Sequence, residues 1–301
     1  MSNIVYQKTI VNPVEFSGIG VHSGKIVNIK IFPSDKGGIV FKNGNNTIEA
    51  LYSNVVDTQM GTTIANQNIK VATMEHLMSA IYACDLDNLL IEIDSVEVPI
   101  MDGSAKNFID EIKKAGVKQL NTERKFIELK DKIEVKDGDK FIVAEPQDFL
   151  SIDLSIDFKY GNIGKQHYSW SEKDNNFELF SCRTICNIKE IEYLWSIGLA
   201  KGGSFDNSMI FNDTGLINRA DYIKYVESKN LDENFKKYLL DVKEKDGFRC
   251  ENEVVKHKML DLIGDLFSAG HYIKAKITAN KTGHTLNNMF VKELYNGNIL
   301  V

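Results

Sequence analysis

The run Asn252-Glu253-Val254-Val255-Lys256-His257-Lys258-Met259-Leu260-Asp261-Leu262-Ile263-Gly264-Asp265-Leu266-Phe267-Ser268-Ala269, closed by Gly270, is the strongest structural signal in the chain. Val255, Met259, Leu262 and Leu266 recur at i, i+4, i+7 and i+11, with Ile263 and Phe267 beside them. That period belongs to a helix whose apolar stripe must face a core, and a glycine after the last turn is a usual stop. On the opposite side His257, Asp261 and Asp265 recur every four residues, one above another. Such spacing brings an imidazole and a carboxylate within reach of a single ion. The H-E-x-x-H motif of zinc proteases uses the same offset, with a second His where this chain has Asp261. Taken alone the pair is ambiguous, because His and Asp at this spacing on a solvated helix face are ordinary.

Outward from that helix, the whole chain is that of a globular protein. It has 301 residues, of which 43% are hydrophobic and 4 are proline, enough for a sizeable core and unlike a disordered chain. Its 36 basic and 42 acidic side chains give a net charge of −6, the wrong sign for a nucleic-acid footprint. No apolar run approaches the roughly 18 residues that span a bilayer. Met1 to Lys8 lacks the apolar core of a signal peptide, so a cytoplasmic location is expected. Cys84, Cys182, Cys186 and Cys250 are too few for a disulfide scaffold and are expected to be small reduced hydrophobes.

Strands alternate with a few helices. Val27, Ile29 and Ile31 alternate with polar residues, as do Leu89, Ile91 and Ile93 and the series Ile152 to Phe158. A helix is expected to open at Thr73, with Leu77, Ile81 and Cys84 on one face, and another after Asp102-Gly103-Ser104, with Ser104 as its N-cap. Polar residues 121–125 mark a boundary between residues 1–123 and 124–301. Beyond it come Phe126–Leu129 and a hairpin through Lys136–Asp139. A β-α-β excursion is expected over 183–211, then a charge-rich helical surface over 220–248. A last strand, Ile273–Ala279, leads into a loop at Lys281–Thr285. The fold class is α+β, in two halves of similar make-up.

Two further stretches bear on chemistry. Glu75 and His76 open the Thr73 helix, and neither lies on the apolar face of Leu77 and Ile81. A helix N-terminus holds an imidazole neutral, the state a metal requires, and a neighbouring carboxylate can take a proton from attacking water. An exposed histidine at a frayed helix start has the same spacing. His284 follows Gly283 in Gly283-His284-Thr285-Leu286-Asn287-Asn288, where it could donate a proton or steady an oxyanion with Asp265 as its partner. Lone loop histidines are usually just exposed.

Taken together the motifs resemble a known family, the UDP-3-O-acyl-N-acetylglucosamine deacetylases. Thr73-Met74-Glu75-His76-Leu77, Pro99-Ile100-Met101-Asp102-Gly103-Ser104-Ala105, Gly202-Gly203-Ser204, the run His257 to Leu266 and Gly283 to Asn288 match in family order, as does Gly18-Ile19-Gly20-Val21-His22-Ser23-Gly24. The resemblance implies a zinc amidase with one catalytic ion per chain. It would remove acetate from an acylated UDP-N-acetylglucosamine in the committed step of lipid A synthesis in Gram-negative bacteria. It implies two β-α-α-β domains, 1–123 and 124–301, packed through their helix layers, each with an insert. His76, His257 and Asp261 match the metal ligands, Glu75 the general base, and His284 the second acid/base group with Asp265 as its orienter. Lys258 matches a lysine at the substrate's phosphate-bearing end, and Thr184 a hydroxyl that meets the oxyanion. Segment 183–211 would build an apolar passage for the acyl chain. Ile185 stands where the family often has Phe, which alters the mouth of that passage and not the reaction.

With these come the expectations of a monomer, of no nucleic-acid partner, and of at most transient membrane-surface contact. The end at Val301 leads us to expect no fused dehydratase domain such as some relatives carry. Two other classes fit parts of the pattern: a metal-free nucleotide-sugar binding pseudoenzyme, and a metal-free Glu/His acid–base lyase or isomerase. The first would hold no zinc, and the second would be indifferent to chelator.

Overall fold

The computed structural model describes residues 4–174, 176–297 and 299–301. Among these residues there are seven helices, α1 Glu75–Ala83, α2 Lys106–Ala115, α3 Ile188–Ser196, α4 Arg219–Glu227, α5 Glu233–Leu240, α6 Glu253–Phe267 and α7 His284–Asn296, set among several sheets. The architecture is mixed α+β. No helix of the described residues is long and apolar enough to cross a membrane.

The first half is built on a five-stranded sheet in the order Val14–Ile19, Ile26–Pro33, Asn88–Ile93, Gly38–Asn43, Asn46–Glu49. Its neighbours are antiparallel except Gly38–Asn43, which runs parallel to Asn88–Ile93. The alternation at Val27, Ile29 and Ile31 sets the register, pairing Ile29 with Ile93 and Ile31 with Ile91. A register slip of one residue would turn all of these side chains to the other face. Phe108 of α2 packs edge-on against Phe16 of this sheet, with ring centroids 5.0 Å apart.

The second half centres on the strand Tyr272–Asn280. It pairs in parallel with Phe126–Leu129 and with Ser151–Phe158, and antiparallel with Lys140–Pro146. The expected hairpin forms with Asp137 opposite Lys140, and Gly138 takes a φ of 62° in the tight turn between them. Thr184–Asn187 and Ser208–Asn212 pair in parallel across α3, the β-α-β excursion read from the sequence.

Helices α1 and α6 cross where Gly264 has no side chain. A Cβ there would lie 2.0 Å from the carbonyl oxygen of Glu75, which no larger residue could tolerate. This crossing overturns the reading of a solvated face on α6. Every residue of that helix except Lys258 is buried, because other elements cover the polar side as well as the apolar one.

Residues 121–123 are the end of the strand Val117–Glu123, paired with Tyr6–Ile10. The Arg124 side chain is buried against Asp85 and Asp87, with its guanidinium 4.1 Å from the centre of the Tyr272 ring. The Ser104 hydroxyl accepts from the Lys106 N–H at 3.1 Å, but the N-cap is Ala105, one residue later than expected. The charge-rich stretch 220–248 carries α4 and α5, and Tyr222, Val226 and Leu239 of these helices join Val242, just after α5, in a small second core.

Candidate metal centre and its cavity

His76 sits in the first turn of α1, and His257 and Asp261 lie one turn apart on α6. Because the two helices cross at Gly264, the three side chains converge, each offering a ligand atom within 4.8 Å of the others. Asp261 Oδ1 lies 3.4 Å from His76 Nε2 and 3.3 Å from His257 Nε2. This oxygen is buried and, among the described residues, has no hydrogen-bond donor. Burial without a partner is costly for a carboxylate oxygen, and a cation among the three atoms would satisfy it.

The protonation pattern suits that role. Burial drives the His257 pKa down to about 4, so its imidazole is neutral near pH 7. Its Nδ1 is 3.0 Å from the carbonyl oxygen of Cys182. Nδ1–H therefore donates to that carbonyl and leaves the Nε2 lone pair facing Asp261, as metal-binding histidines do. Asp261 is held well below the carboxylate range: burial works against ionisation, but His257, Lys258 and His76 around it prevail. For His76, burial pulls the pKa down while Asp261 and Glu75 raise it, and the rise wins. A bound cation would take the place of that proton.

Around the triad stand the other expected residues. Glu75 is buried at the start of α1, where its Oε2 accepts from the Thr62 N–H at 2.9 Å. His284 is not in a loop, as the sequence reading had it, but is the first residue of α7. Asn287 lies one turn further along α7, and both side chains reach Asp265: His284 Nδ1 is 2.8 Å and Asn287 Nδ2 2.7 Å from Asp265 Oδ2. The Thr62 hydroxyl donates to the other oxygen at 2.5 Å. Burial alone would lower the His284 pKa, but the Asp265 carboxylate outweighs it and raises the value to about 9. Lys258 is tied to Asp261 Oδ2 at 2.6 Å and does not stand free.

Glu75, His76, His257, Lys258, Asp261, His284, Thr184 and Ile185 all line one cavity of about 230 Å³; Asp265 stands behind His284. The far wall is apolar and comes from the excursion, with Ile191, Leu194 and Trp195 of α3 and Ile210 of the following strand. Two glycine motifs place this wall. Gly103 takes a φ of 79°, and a Cβ on it would lie 1.9 Å from the Asn207 carbonyl oxygen. Its own carbonyl accepts from the Thr184 N–H at 2.9 Å. Gly202 meets Gly20 just as closely, at 2.2 Å from a virtual Cβ to the carbonyl oxygen.

Sequence reading did not find Thr62, or the Cys182 carbonyl that fixes His257. Asn287 and His22 stand in the sequence motifs, but the motifs alone give neither a role. His22 also lines the cavity, with Nε2 3.2 Å from the Met60 carbonyl oxygen and Nδ1 buried without a partner among the described residues.

The profile of the UDP-3-O-acyl N-acetylglycosamine deacetylase family matches residues 7–232 and 236–296. Curated relatives named UDP-3-O-acyl-N-acetylglucosamine deacetylase span nearly the whole chain. The one from Nautilia profundicola is 40% identical over 293 residues, covering 96% of this chain and 91% of the relative. That of Hamiltonella defensa is 39% identical, covering 96% and 89%, and that of Helicobacter pylori J99 is 36% identical, covering 96% and 90%. The chain therefore belongs to the UDP-3-O-acyl N-acetylglycosamine deacetylase family of amide-hydrolysing enzymes.

Proposed function

We propose that this chain is a zinc-dependent deacetylase that hydrolyses the N-acetyl group of UDP-3-O-acyl-N-acetylglucosamine, acting in the cytoplasm at the committed step of lipid A synthesis. In this reading residues 1–123 and 124–301 are two β-α-α-β domains joined through their helix layers, with the site between them. The observation that carries the proposal is the trio of His76, His257 and Asp261, with an orphaned carboxylate oxygen at its centre, beside Glu75 at the head of an apolar cavity. Ligands about 2.0–2.1 Å from a tetrahedral zinc lie about 3.3–3.4 Å from one another. The two Asp261–imidazole distances of 3.4 and 3.3 Å agree with that spacing.

Zinc, when bound, would supply Lewis-acid polarisation of the amide carbonyl and a lowered pKa for water. The residues do the rest. Glu75 has one oxygen engaged by the Thr62 N–H, and the other takes the proton of the attacking water. The Thr184 hydroxyl and the His284 imidazolium face the oxyanion as it forms. His284 keeps its proton because Asp265 holds it, and Asp265 is fixed in turn by Thr62 and Asn287. A proton then passes to the departing amine. Ile185 and the apolar wall receive the acyl chain. Lys258 would meet the phosphate-bearing end of the substrate, exchanging one oxyanion partner for another.

The test is metal analysis combined with deacetylation of an acyl-UDP-N-acetylglucosamine. About one zinc per chain is expected, with activity lost to a chelator and restored by added zinc. Activity indifferent to chelator would refute the reading, and so would substrate binding without acetate release by the metal-loaded protein.

A further inference from the structure

Cys182 stands where the chain leaves the main body for the segment that forms the cavity's apolar wall, and Cys250 where it returns, just before α6. Although 68 positions apart in sequence, their sulfurs are 3.4 Å apart. One buried carboxylate holds both strands of this base together. Glu253 accepts from the Arg183 N–H at 3.0 Å and from the Arg249 N–H at 2.6 Å, the residues adjoining each cysteine. Arg183 adds side-chain bonds to the same carboxylate at 3.0 and 3.1 Å. Cys182 is fully buried and Cys250 partly exposed. The Lys256 ammonium lies 3.8 Å from the Cys250 sulfur and is also paired with Glu178.

We propose that Cys182 and Cys250 form a reversible oxidation site, a dithiol that a peroxide converts to a disulfide and whose closure is felt at His257. The sulfurs must approach by roughly 1.4 Å to reach a bond of about 2.0 Å. The Cys250 thiolate attacks the peroxide, giving a sulfenic acid and releasing hydroxide. The Cys182 sulfur then displaces the sulfenic oxygen, and its proton leaves with that oxygen as water. Two thiols are oxidised by two electrons, and one peroxide is reduced to water. Cys250 is suited to the first step. The Cys182 S–H bond lowers its pKa, and Lys256 helps against burial. Cys84 and Cys186 are pushed up to about 12 by burial and are poor nucleophiles by comparison.

Two consequences follow from position. The disulfide would staple the base of the segment that carries α3 to α5, the wall of the cavity. It would also pull on the residue whose carbonyl holds His257 Nδ1 at 3.0 Å. Partners of that kind are commonly worth tenfold or more in metal affinity. This second consequence rests on the metal reading given above, whereas the first does not.

The experiment treats the zinc-loaded protein with a slight excess of hydrogen peroxide. It measures free thiols, the masses of proteolytic peptides, and the rate at which a competing chelator removes zinc. Free thiols should fall by two per chain from four, with the Cys182 and Cys250 peptides linked at a mass two hydrogens below their sum. Zinc extraction should speed up about tenfold. Dithiothreitol should reverse both changes, and Cys250→Ser should show neither. Oxidation falling first on Cys84 or Cys186, or no linked peptide, would overturn the oxidation site. A linked peptide with unchanged zinc extraction would overturn the coupling to His257. A protein that takes up no zinc would strike the metal reading, while the linked peptide would still decide the thiol site.

Discussion

The two oxygens of Asp261 have different surroundings: Oδ2 accepts from Lys258 at 2.6 Å, and Oδ1, although buried, accepts from nothing among the described residues. Glu75 beside it needs no part in holding an ion. Glu75→Gln is therefore expected to keep bound zinc near the wild-type level while turnover falls by about 10²–10⁴-fold; near-normal turnover would remove Glu75 from the reaction. For His284 the pH dependence has a definite sign. Its folded pKa of about 9 stands above the ordinary histidine value of 6.5, so the Asp265–His284 pair stabilises the fold fully below about 6.5. That contribution is lost as the pH rises through about 9. Turnover of the wild-type enzyme should fall over the same rise, and Asp265→Asn should move both the falling limb and the His284 NMR titration to lower pH. An unmoved limb would mean that another group sets it. Asp265 as the partner of His284 was legible from the motif, but Thr62 was not. Its hydroxyl arrives from a strand region 203 positions away, and no spacing rule links them.

At the scale of elements, the sequence showed α6 by its apolar period but not the burial of its polar face. Periodicity records which side meets a core and is silent about a second element laid over the other side. Gly264 held the clue, since a glycine inside a helix is costly unless something passes close by. Gly264→Ala would place a methyl group 2.0 Å from the Glu75 carbonyl oxygen and push α1 away from α6. A loss of about 1–3 kcal/mol or more is expected in urea unfolding, with weakened zinc binding because His76 moves with α1. Unchanged stability and metal affinity would show that the crossing relaxes freely. Helix α7 is hidden in the motif: Gly283 and the polar residues after it look like a loop, and the buried residues Phe290, Val291 and Leu294 lie beyond it. Several short strands of the first half were also missed, because their alternation is brief and interrupted by turns.

For the molecule as a whole, the candidate cation site joins helices from different halves of the chain, so ion binding there would be linked to folding. An ion present at about 1,000 times its dissociation constant stabilises the folded state by about 4 kcal/mol. Removing it with a chelator should lower the thermal midpoint by several degrees, and adding zinc back should restore it. Asp261→Ala should abolish the difference between the two forms, whereas a midpoint indifferent to chelator in the wild type would place the ion outside the folded core. The small second core beneath α4 and α5 is separate from the main one. Segments with their own modest apolar centre can open at a free energy below that of global unfolding. In hydrogen–deuterium exchange the backbone amides of α4 and α5 should therefore take up deuterium while those of α6 are still protected. The enzyme would then have a floor that stays fixed and a side panel that breathes, with the bulk of tail it admits set by how far the panel swings.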